Sequence, residues 1–357
     1  MSIVVDKSGP FTHAPNSVQQ TMTLVLAALV PATLFDAWLF GWPAIFLFVF
    51  TVAACMGIEA FCLKIQNRPL TSLSDGSAAL TGWLLAMSLP PWTPWWVALI
   101  GAVFAICLAK HLFGGLGQNV FNPAMVGRIA VLVSFPVQMT AFVAPHPLFA
   151  AASPDFAQSL AIFIHGFDLD TISAASALGF VKTELSRGIA VSESVGKVPS
   201  VTDMLLGLHP GSFGETSAVL ILAGGLFLLA KRIISWHIPV TVLGTLFLFG
   251  TVFSAVDPAR YTSGVFQVVS GASFLGAFFI ATDYVTSPVS KQGQLVYGFG
   301  VGALTWLIRT YAGYPEGMAF AVLLMNALTP IIDQYIRPRA FGRTRKGEPL
   351  PLLKGDK

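Results

Sequence analysis

The chain has 357 residues, of which 55% are hydrophobic and 10% are charged, and its formal net charge is +3. Soluble domains are usually about one quarter charged, so this composition excludes a soluble globular protein and indicates an integral membrane protein. Because the net charge is small and the basic residues are unevenly spread, nucleic acid is not an implied partner. The first residues, MSIVVDKS, lack the charged-then-apolar layout of a cleaved signal peptide, so we expect the first apolar run to remain as a span.

Apolar runs along the chain predict an all-α protein with about ten transmembrane helices. A complete span needs about 20 apolar residues. The third, fifth and sixth runs are shorter, so we expect them to be broken within the bilayer or continued by polar backbone. The ten runs are 21–40, 43–63, 77–89, 95–109, 124–139, 217–230, 238–256, 265–281, 295–311 and 318–336.

Basic residues predict the orientation, since Lys and Arg concentrate in cytoplasmic loops. With the N-terminus in the cytoplasm, fifteen of the twenty basic residues fall on that side. Both termini are therefore predicted to be cytoplasmic, and residues 140–216 to form one long extracytoplasmic loop. A connection of about 75 residues inside a compact protein is usually functional. The basic residues on the outer side are Lys182, Arg187, Lys197, Arg260 and Arg309.

Two sections of the chain resemble each other. DGSAALTGWL begins at Asp75 and opens the third span, and SGASFLGAFF begins at Ser270 and opens the eighth. Each half then holds five spans, an odd number, so the halves run in opposite directions and form a five-plus-five inverted repeat. The predicted parts are a first repeat (1–139), the long loop (140–216), a second repeat (217–336) and a basic tail (337–357).

Two spans are interrupted by polar residues and proline, in NVFNPA (119–124) and TDYVTSP (282–288). In inverted-repeat proteins such interruptions mark the binding centre, because the freed backbone groups must face protein, ligand or water. Asn119, Asn122 and Asp283 are therefore candidate ligand-lining residues. A helix that starts at the end of the first motif would also aim free N–H groups at an anion or a polarised ring carbonyl. The alternative is a helix–loop–helix turn without a ligand.

The three cysteines, Cys55, Cys62 and Cys107, all lie within apolar runs and form no C-x-x-C motif. They are too few for a disulfide framework, a complete iron–sulfur site or c-type haem attachment, and no metal site is predicted. We expect small packing residues or one thiolate given to a cluster shared with another subunit.

Seven charged or titratable residues lie inside or beside the spans, where such groups are costly and often functional. Most are near span ends, so solvation at the interface is the expected explanation. For Glu59, the deepest, we expect neutral burial or a polar contact between helices. The seven are Asp36, Glu59, Lys110, His111, Asp283, Arg309 and Asp333.

Three stretches together form a known pattern: FGGLGQNVFNPAM from Phe113, SGASFLGAFFIATD from Ser270 and WLIRTYAGYPEGMAFAVLL from Trp306. The sequence resembles the RnfD family, the D component of the Rnf complex, which is the ion-translocating ferredoxin–NAD oxidoreductase of bacterial membranes. The B component of the sodium-pumping NADH–quinone reductase is a relative. The resemblance runs almost end to end, from SGPFTH at Ser8 to the Arg-Pro-Arg that begins at Arg337.

The resemblance implies covalent FMN, because family members join the FMN phosphate to a threonine hydroxyl in an Asp-x-x-Ser-x-Ala-Thr motif of the long loop. The stretch DTISAAS matches at Asp170, Ser173 and Ala175, and Ser176 stands where threonine is expected. Serine offers the same hydroxyl, so Ser176 is the predicted attachment site, modified by a flavin transferase on an accessible loop. Without the family, the same stretch is typical of an ordinary helix start capped by Ser173.

Other residues are expected near the flavin. The stretch SGAS, which contains Ser270 and Ser273, also ends in a small-Ala-Ser pattern, but it lacks the upstream acid of the motif. We therefore expect Ser270 and Ser273 to line the flavin region and not to carry the FMN. Arg309 is a candidate partner for a flavin phosphate or ring carbonyl, with a lipid headgroup as the alternative. Sister proteins hold a non-covalent riboflavin between spans, and the resemblance extends this expectation to the present chain.

The resemblance implies an electron-transfer subunit of the bacterial inner membrane that couples electron flow to movement of H⁺ or Na⁺. Its partners would be the other subunits of the complex, which hold iron–sulfur and flavin centres, together with the flavin transferase and membrane lipid. Because the chain has no nucleotide motif or cluster ligand set, we expect no turnover by this chain alone. The alternatives are a secondary transporter or small-solute channel, which shares inverted repeats with broken spans, and a scaffold that lost its flavin when serine replaced threonine.

Overall fold

The computed structural model describes residues 17–150, 153–167 and 173–337. Within these residues the regular structure is helical, apart from one pair of two-residue strands. Three of the described helices are long and apolar enough to cross a membrane, and five shorter ones are also apolar. The prediction of an all-α membrane protein is therefore confirmed. Asp170 of the predicted attachment motif lies outside the described residues.

The helices are labelled in chain order. They are α1 (Val18–Ile65), α2 (Ser77–Ser88), α3 (Trp95–His111), α4 (Pro123–Ser134), α5 (Phe156–His165), α6 (Ala177–Ser186), α7 (Val201–Leu206), α8 (Ala218–Ala230), α9 (His237–Val256), α10 (Gly264–Val269), α11 (273–280), α12 (Lys291–Tyr311) and α13 (Met318–Tyr335). Short helical turns lie at Leu70–Asp75, Pro136–Thr140, Val191–Ser194 and Val195–Lys197. The strands β1 (Phe142–Val143) and β2 (Ser173–Ala174) pair antiparallel.

The helix α1 is two arms that fold back on each other at Gly41, whose φ is 72°. A straight helix of 48 residues would be about 72 Å long. Yet Thr21, near its start, lines one cavity with Lys110, and Lys110 is hydrogen-bonded to Glu59 near its end. Both ends of α1 therefore lie on the same side of the bundle, and the first two predicted spans are confirmed as its arms. Glycine suits this turn because a left-handed φ strains residues that carry a Cβ.

Several other spans are broken. The fifth, predicted as 124–139, leaves the helix at Phe135 before a short helical turn that begins with Pro136. The eighth, predicted as the continuous run 265–281, is split into α10 and α11 at residues 270–272, where Gly271 has a φ of 66°. Small residues keep the hydropathy high while the backbone turns, so the apolar run alone did not indicate the break. Two segments are π-helical, one at the end of α3 and one in α11.

The long loop folds over one end of the bundle. Its helix α5 packs its Phe156 ring edge-on against Trp42, beside the turn of α1, with the ring centroids 5.5 Å apart. Its last part returns to the end of α2, where the N–H of Phe213 donates to the carbonyl of Leu89 at 3.0 Å. Residues of both predicted repeats share one core, and they include Leu29, Leu85, Ile106, Leu246, Val301 and Val322. The repeat boundaries, the inverted relation and the side of the membrane stay predictions.

Candidate functional site

A cavity of about 460 Å³ opens where the broken spans meet. It lies between the start of α1, α2, the segment before α4, the end of α8 and the turn after α11. Asn119, Asn122 and Asp283 all line it, so the structure brings together the residues singled out in two distant motifs. A mainly apolar lining with a few polar groups is typical of small-molecule sites. The apolar lining includes Leu80, Leu84, Leu228, Ile233, Phe278 and Phe279.

Asn122 joins the two halves of the chain at this cavity. It is the N-cap of α4, and its side-chain oxygen accepts a hydrogen bond from the N–H of Met125 at 3.3 Å. Pro123 follows at the first helical position, which needs no N–H donor. The Asn122 amide nitrogen donates to the carbonyl of Ile280 in α11 at 3.4 Å. The N–H groups expected to face a ligand at this helix start are thus partly satisfied within the chain.

A buried charged cluster adjoins the cavity. Lys110 lines the cavity, and its ammonium nitrogen lies 2.8 Å from Glu59 Oε1 and 2.7 Å from the Ser77 hydroxyl. The other Glu59 oxygen lies 3.1 Å from Nε2 of His111. The side chains of Lys110, Glu59 and His111 are each 5% exposed or less. We call these four residues the cavity cluster.

The expectation of interfacial solvation is wrong for Lys110 and His111, because their side chains are buried against Glu59. A charge inside a protein is tolerated only when it is paired and hydrogen-bonded. The polar contact between helices expected for Glu59 is confirmed, and it is an ion pair between α1 and α3. Each residue stood out in the sequence but the pairing did not, since the partners are 51 positions apart.

The aspartates near the spans have separate surroundings. Asp36 is fully buried and accepts a hydrogen bond from the Thr216 hydroxyl, so interfacial solvation is wrong for it too. Asp283 accepts from the Thr286 hydroxyl at 3.2 Å. Asp333 accepts a hydrogen bond at 3.1 Å from the N–H of Val289, which follows Thr286 in the same turn between α11 and α12. Asp283 and Asp333 therefore brace the turn that borders the cavity.

A second buried ion pair lies at the C-terminal end of α12. The Arg309 guanidinium lies 3.0 Å from the Glu316 carboxylate, and the Arg309 side chain is 1% exposed. It also donates to the carbonyl of Gln267 at 2.7 Å, the carbonyl of Ser270 at 3.2 Å and the hydroxyl of Ser273 at 3.0 Å. We call these five residues the loop-side cluster. It unites Ser270, Ser273 and Arg309, which were expected near one another.

The lipid-headgroup alternative for Arg309 is wrong, because the guanidinium is enclosed by its own chain. Sequence reasoning missed Glu316, which lies after the end of α12, where helical spacing no longer indicates a contact. It also missed a further buried pair in which Arg128 of α4 lies 3.8 Å from Glu215 of the long loop. These partners become neighbours only when the loop folds onto the bundle.

The helix α6 packs against the loop-side cluster. The Lys182 ammonium donates to the carbonyls of Arg309 at 3.0 Å and Tyr314 at 2.9 Å, so it satisfies carbonyl groups at the end of α12. Burial lowers the pKa of Lys182 from its ordinary value. Leu178 approaches the backbone so closely that a Cβ on Gly271 would lie 2.9 Å from its Cδ1 atom. The predicted attachment segment is therefore held against the break in the eighth span.

Ser176 is the N-cap of α6, and its Oγ accepts a hydrogen bond from the N–H of Gly179 at 3.2 Å. The alternative interpretation predicted the helix start correctly but assigned the cap to Ser173, whose backbone instead pairs with Val143 in the two-stranded ribbon. Ser176 is only 8% exposed, whereas an accessible hydroxyl was expected. The apolar residues Ala177, Leu178 and Val181 of α6 pack with α10, while the preceding Ala175 remains exposed.

The cavity and the loop-side cluster are distinct but joined by α11. Ser273, at the start of α11, bonds to Arg309, and Phe278 and Phe279, near its end, line the cavity. Six residues of helix correspond to about 9 Å. The predicted cofactor-binding residues therefore divide into two sets, with Asn119, Asn122 and Asp283 at the cavity and the serines with Arg309 at the loop side.

Comparison with known proteins covers nearly the whole chain. The NQR2, RnfD, RnfE family matches residues 5–342. A protein of Halorhodospira halophila, named as the D component of an ion-translocating oxidoreductase complex, is 47% identical over 345 residues, covering 96% of this chain and 97% of that protein. A protein of the same name from Rhodobacter capsulatus is 50% identical over 339 residues, covering 94% of this chain and 94% of that protein. One from Stutzerimonas stutzeri is 48% identical over 340 residues, covering 95% of this chain and 96% of that protein.

Proposed function

The chain belongs to the NQR2, RnfD, RnfE family, and on that premise we propose that it is the electron-transfer subunit of an ion-translocating oxidoreductase complex in the bacterial inner membrane. In this proposal the chain carries FMN esterified to Ser176 and takes part in coupling electron flow to H⁺ or Na⁺ movement. Its partners are the other subunits, with their iron–sulfur and flavin centres, and a flavin transferase that modifies it.

The observation that carries this proposal is the position of the Ser176 hydroxyl. Its oxygen lies at the N-terminus of the ten-residue helix α6, where free N–H groups and the helix dipole favour a negative charge. A phosphoester at that oxygen would hold its charged oxygens beside those N–H groups. The serine that replaces the family threonine therefore keeps both the nucleophile and a favourable site for the phosphate.

The surroundings of Ser176 would hold an attached cofactor in a fixed position. Lys182 ties α6 to the end of α12, and Arg309 with Glu316 fixes the backbone at the break of the eighth span. Because Ser176 is 8% exposed, a separate transferase could reach its hydroxyl only while α6 is undocked. We infer that modification precedes docking of α6 or uses its transient release.

The cavity is the proposed site of the non-covalent riboflavin. Its volume of about 460 Å³ lies within the range usual for small-molecule sites, roughly 300–1,000 Å³. Phe278 and Phe279 offer ring contacts, while Lys110, Asn119 and Asp283 offer polar groups for the edges of a flavin. When bound, a flavin supplies one-electron and two-electron chemistry, and the chain supplies position and electrostatics. Since α11 reaches from Ser273 to the cavity, it would hold both cofactors at a fixed separation.

Flavin fluorescence in denaturing gels tests the covalent link. The full chain is produced together with its transferase, and we expect a fluorescent band for the wild-type protein and for Ser176→Thr, but none for Ser176→Ala. Ser273→Ala is the matched control, because it also removes one buried serine hydroxyl and should leave the band fluorescent. The mass of the peptide 170–182 should include an added FMN phosphoryl group.

Other outcomes would overturn the assignment. Loss of fluorescence in Ser273→Ala with retention in Ser176→Ala would place the flavin on the other serine. A dark wild-type band with an unmodified peptide would favour the transporter or the flavin-free scaffold. A topology reporter that locates the long loop in the cytoplasm would contradict the proposed outer location of the FMN.

A further inference from the structure

Two of the three cysteines meet between helices. Cys62 is in the second arm of α1 and Cys107 is in α3, and their sulfur atoms are 3.5 Å apart. The third cysteine, Cys55, lies two helical turns before Cys62 on the same arm and is fully buried. The pairing is invisible in the spacing of the sequence, because the two residues are 45 positions apart.

The π-helical end of α3 presents several polar side chains to α1. This segment, Phe104–His111, contains Cys107 and also Lys110 and His111. Because Cys62 meets Cys107 and, further along both helices, Gln66 meets His111, the second arm of α1 and α3 run parallel. The thiol contact and the contacts to Glu59 form adjacent layers of one interface. π-helical segments inside α-helices are frequent at functional sites.

The geometry allows a covalent bond after a small movement. A disulfide bond is about 2.05 Å long, so the sulfur atoms at 3.5 Å need to approach by roughly 1.5 Å. Cys62 is 9% exposed and Cys107 is half-buried, so a small oxidant can reach Cys107 first. Cys55 has no sulfur neighbour among the three cysteines, all of which lie in the described residues.

We propose that Cys62 and Cys107 form a reversible disulfide when the protein meets a two-electron oxidant of the peroxide class. The Cys107 sulfur attacks the peroxide, whose O–O bond breaks, giving a sulfenic acid and one water molecule. The Cys62 sulfur then displaces the hydroxyl from that sulfenic acid, forming the S–S bond and a second water molecule. The two thiols together lose two hydrogen atoms, which are two protons and two electrons, and the peroxide gains them.

The bond would fix α1 to α3 next to the cavity cluster. Lys110 follows Cys107 by three positions and lines the cavity, so the crosslink would restrict the helix that carries it. The site is thus a redox-sensitive connection between the interior of the bundle and its small-molecule cavity. It does not depend on flavin attachment at Ser176.

The test uses the full chain in detergent with Cys55 replaced by Ser, which leaves only the two thiols in question. The protein is treated with hydrogen peroxide, denatured, alkylated with a polymer-bearing maleimide and analysed on a non-reducing gel, with intact mass measured before alkylation. We expect both thiols to become unreactive together, the mass to fall by two hydrogen atoms, and dithiothreitol to restore both thiols. In the matched variants Cys62→Ser and Cys107→Ser, the remaining thiol should never show this loss of two hydrogen atoms.

The proposal is overturned if both thiols still react after oxidation, or if each gains oxygen atoms without loss of hydrogen. Crosslinked dimers in place of an internal bond would also overturn it. Because serine is close to cysteine in size, all variants should fold, and thermal unfolding in detergent checks this directly.

Discussion

The cavity cluster and the loop-side cluster each contain a buried ion pair, but the two basic residues have different kinds of partners. Each has a buried basic residue beside a carboxylate, with Lys110 2.8 Å from Glu59 and Arg309 3.0 Å from Glu316. The ammonium of Lys110 bonds to the side chains of Glu59 and Ser77 and borders the large cavity. Arg309 also binds two backbone carbonyls and borders a small cavity of about 50 Å³.

This difference indicates what each cluster is built for. A cation held by side chains beside an open cavity can exchange partners when a ligand enters. A guanidinium that binds backbone carbonyls in a fixed fork geometry holds chain segments in place. The cavity cluster is therefore suited to a ligand, and the loop-side cluster to fixing the backbone at the break of the eighth span, against which α6 is held.

The largest expected effect comes from removing the carboxylate of the cavity cluster. Glu59→Leu leaves the buried Lys110 without its charged partner, and breaking a buried pair in this way costs about 3–5 kcal/mol. We expect a large drop in thermal stability of the purified protein in detergent. Glu59→Gln, which keeps a hydrogen-bond acceptor for Lys110, should lose less. Equal stability of Glu59→Leu and wild type would show that Lys110 is solvated or otherwise paired.

A smaller effect is expected at the loop-side cluster. Glu316→Gln removes the charge beside Arg309, but the carbonyls of Gln267 and Ser270 still accept from the guanidinium. The loss should be about 1.5–3 kcal/mol, the range for a hydrogen bond to a charged group, measured by the same thermal unfolding. A loss larger than that of Glu59→Leu would contradict the comparison of the two clusters.

The smallest effect is expected for the link between α6 and α12. Lys182→Met removes the donor to the carbonyls of Arg309 and Tyr314 and should cost about 1 kcal/mol. It should act locally, with faster hydrogen exchange in α6 and little change in α3. Thr183→Ala, whose exposed hydroxyl bonds only within α6, is the matched control. Unchanged exchange in α6 would show that Lys182 does not hold it.

The docking of α6 should also depend on pH. Burial lowers the pKa of Lys182 in the docked state, so the docked state binds the proton more weakly than the undocked state. Raising the pH through the interval between this lowered pKa and the ordinary lysine range should therefore favour docking. Below that interval the cost of burying the charge is fully present. Hydrogen exchange of α6, corrected for its intrinsic pH dependence, should show this trend, and Lys182→Met should abolish it.

Periodic and local features were predictable from the sequence. Hydropathy located both arms of α1, and the polar interruptions located the cavity, because a broken span must satisfy its backbone groups nearby. The basic residues used for orientation need a correction, since Lys110, Arg128 and Arg309 are buried in helices rather than in loops. Lys110 and Arg128 were counted as cytoplasmic and Arg309 as extracytoplasmic. Leaving all three out therefore still leaves most basic residues on the predicted cytoplasmic side.

Contacts between distant segments were not predictable. The partners of Arg309 and Arg128 are a residue of the loop after α12 and a residue of the long loop. Burial of Ser176 depends on where α6 packs, which no local pattern encodes. The contact between Cys62 and Cys107 arises from the parallel packing of the second arm of α1 and α3, whereas cysteine motifs are read from short spacings.

The turn at Gly41 has a consequence for biosynthesis. Only a few residues separate the two arms of α1, so no hydrophilic connection has to be carried across the bilayer between them. The arms should therefore enter the lipid as one preassembled hairpin. A bulky residue at this turn should therefore lower the efficiency of membrane insertion by the translocation machinery before it changes any property of the mature protein.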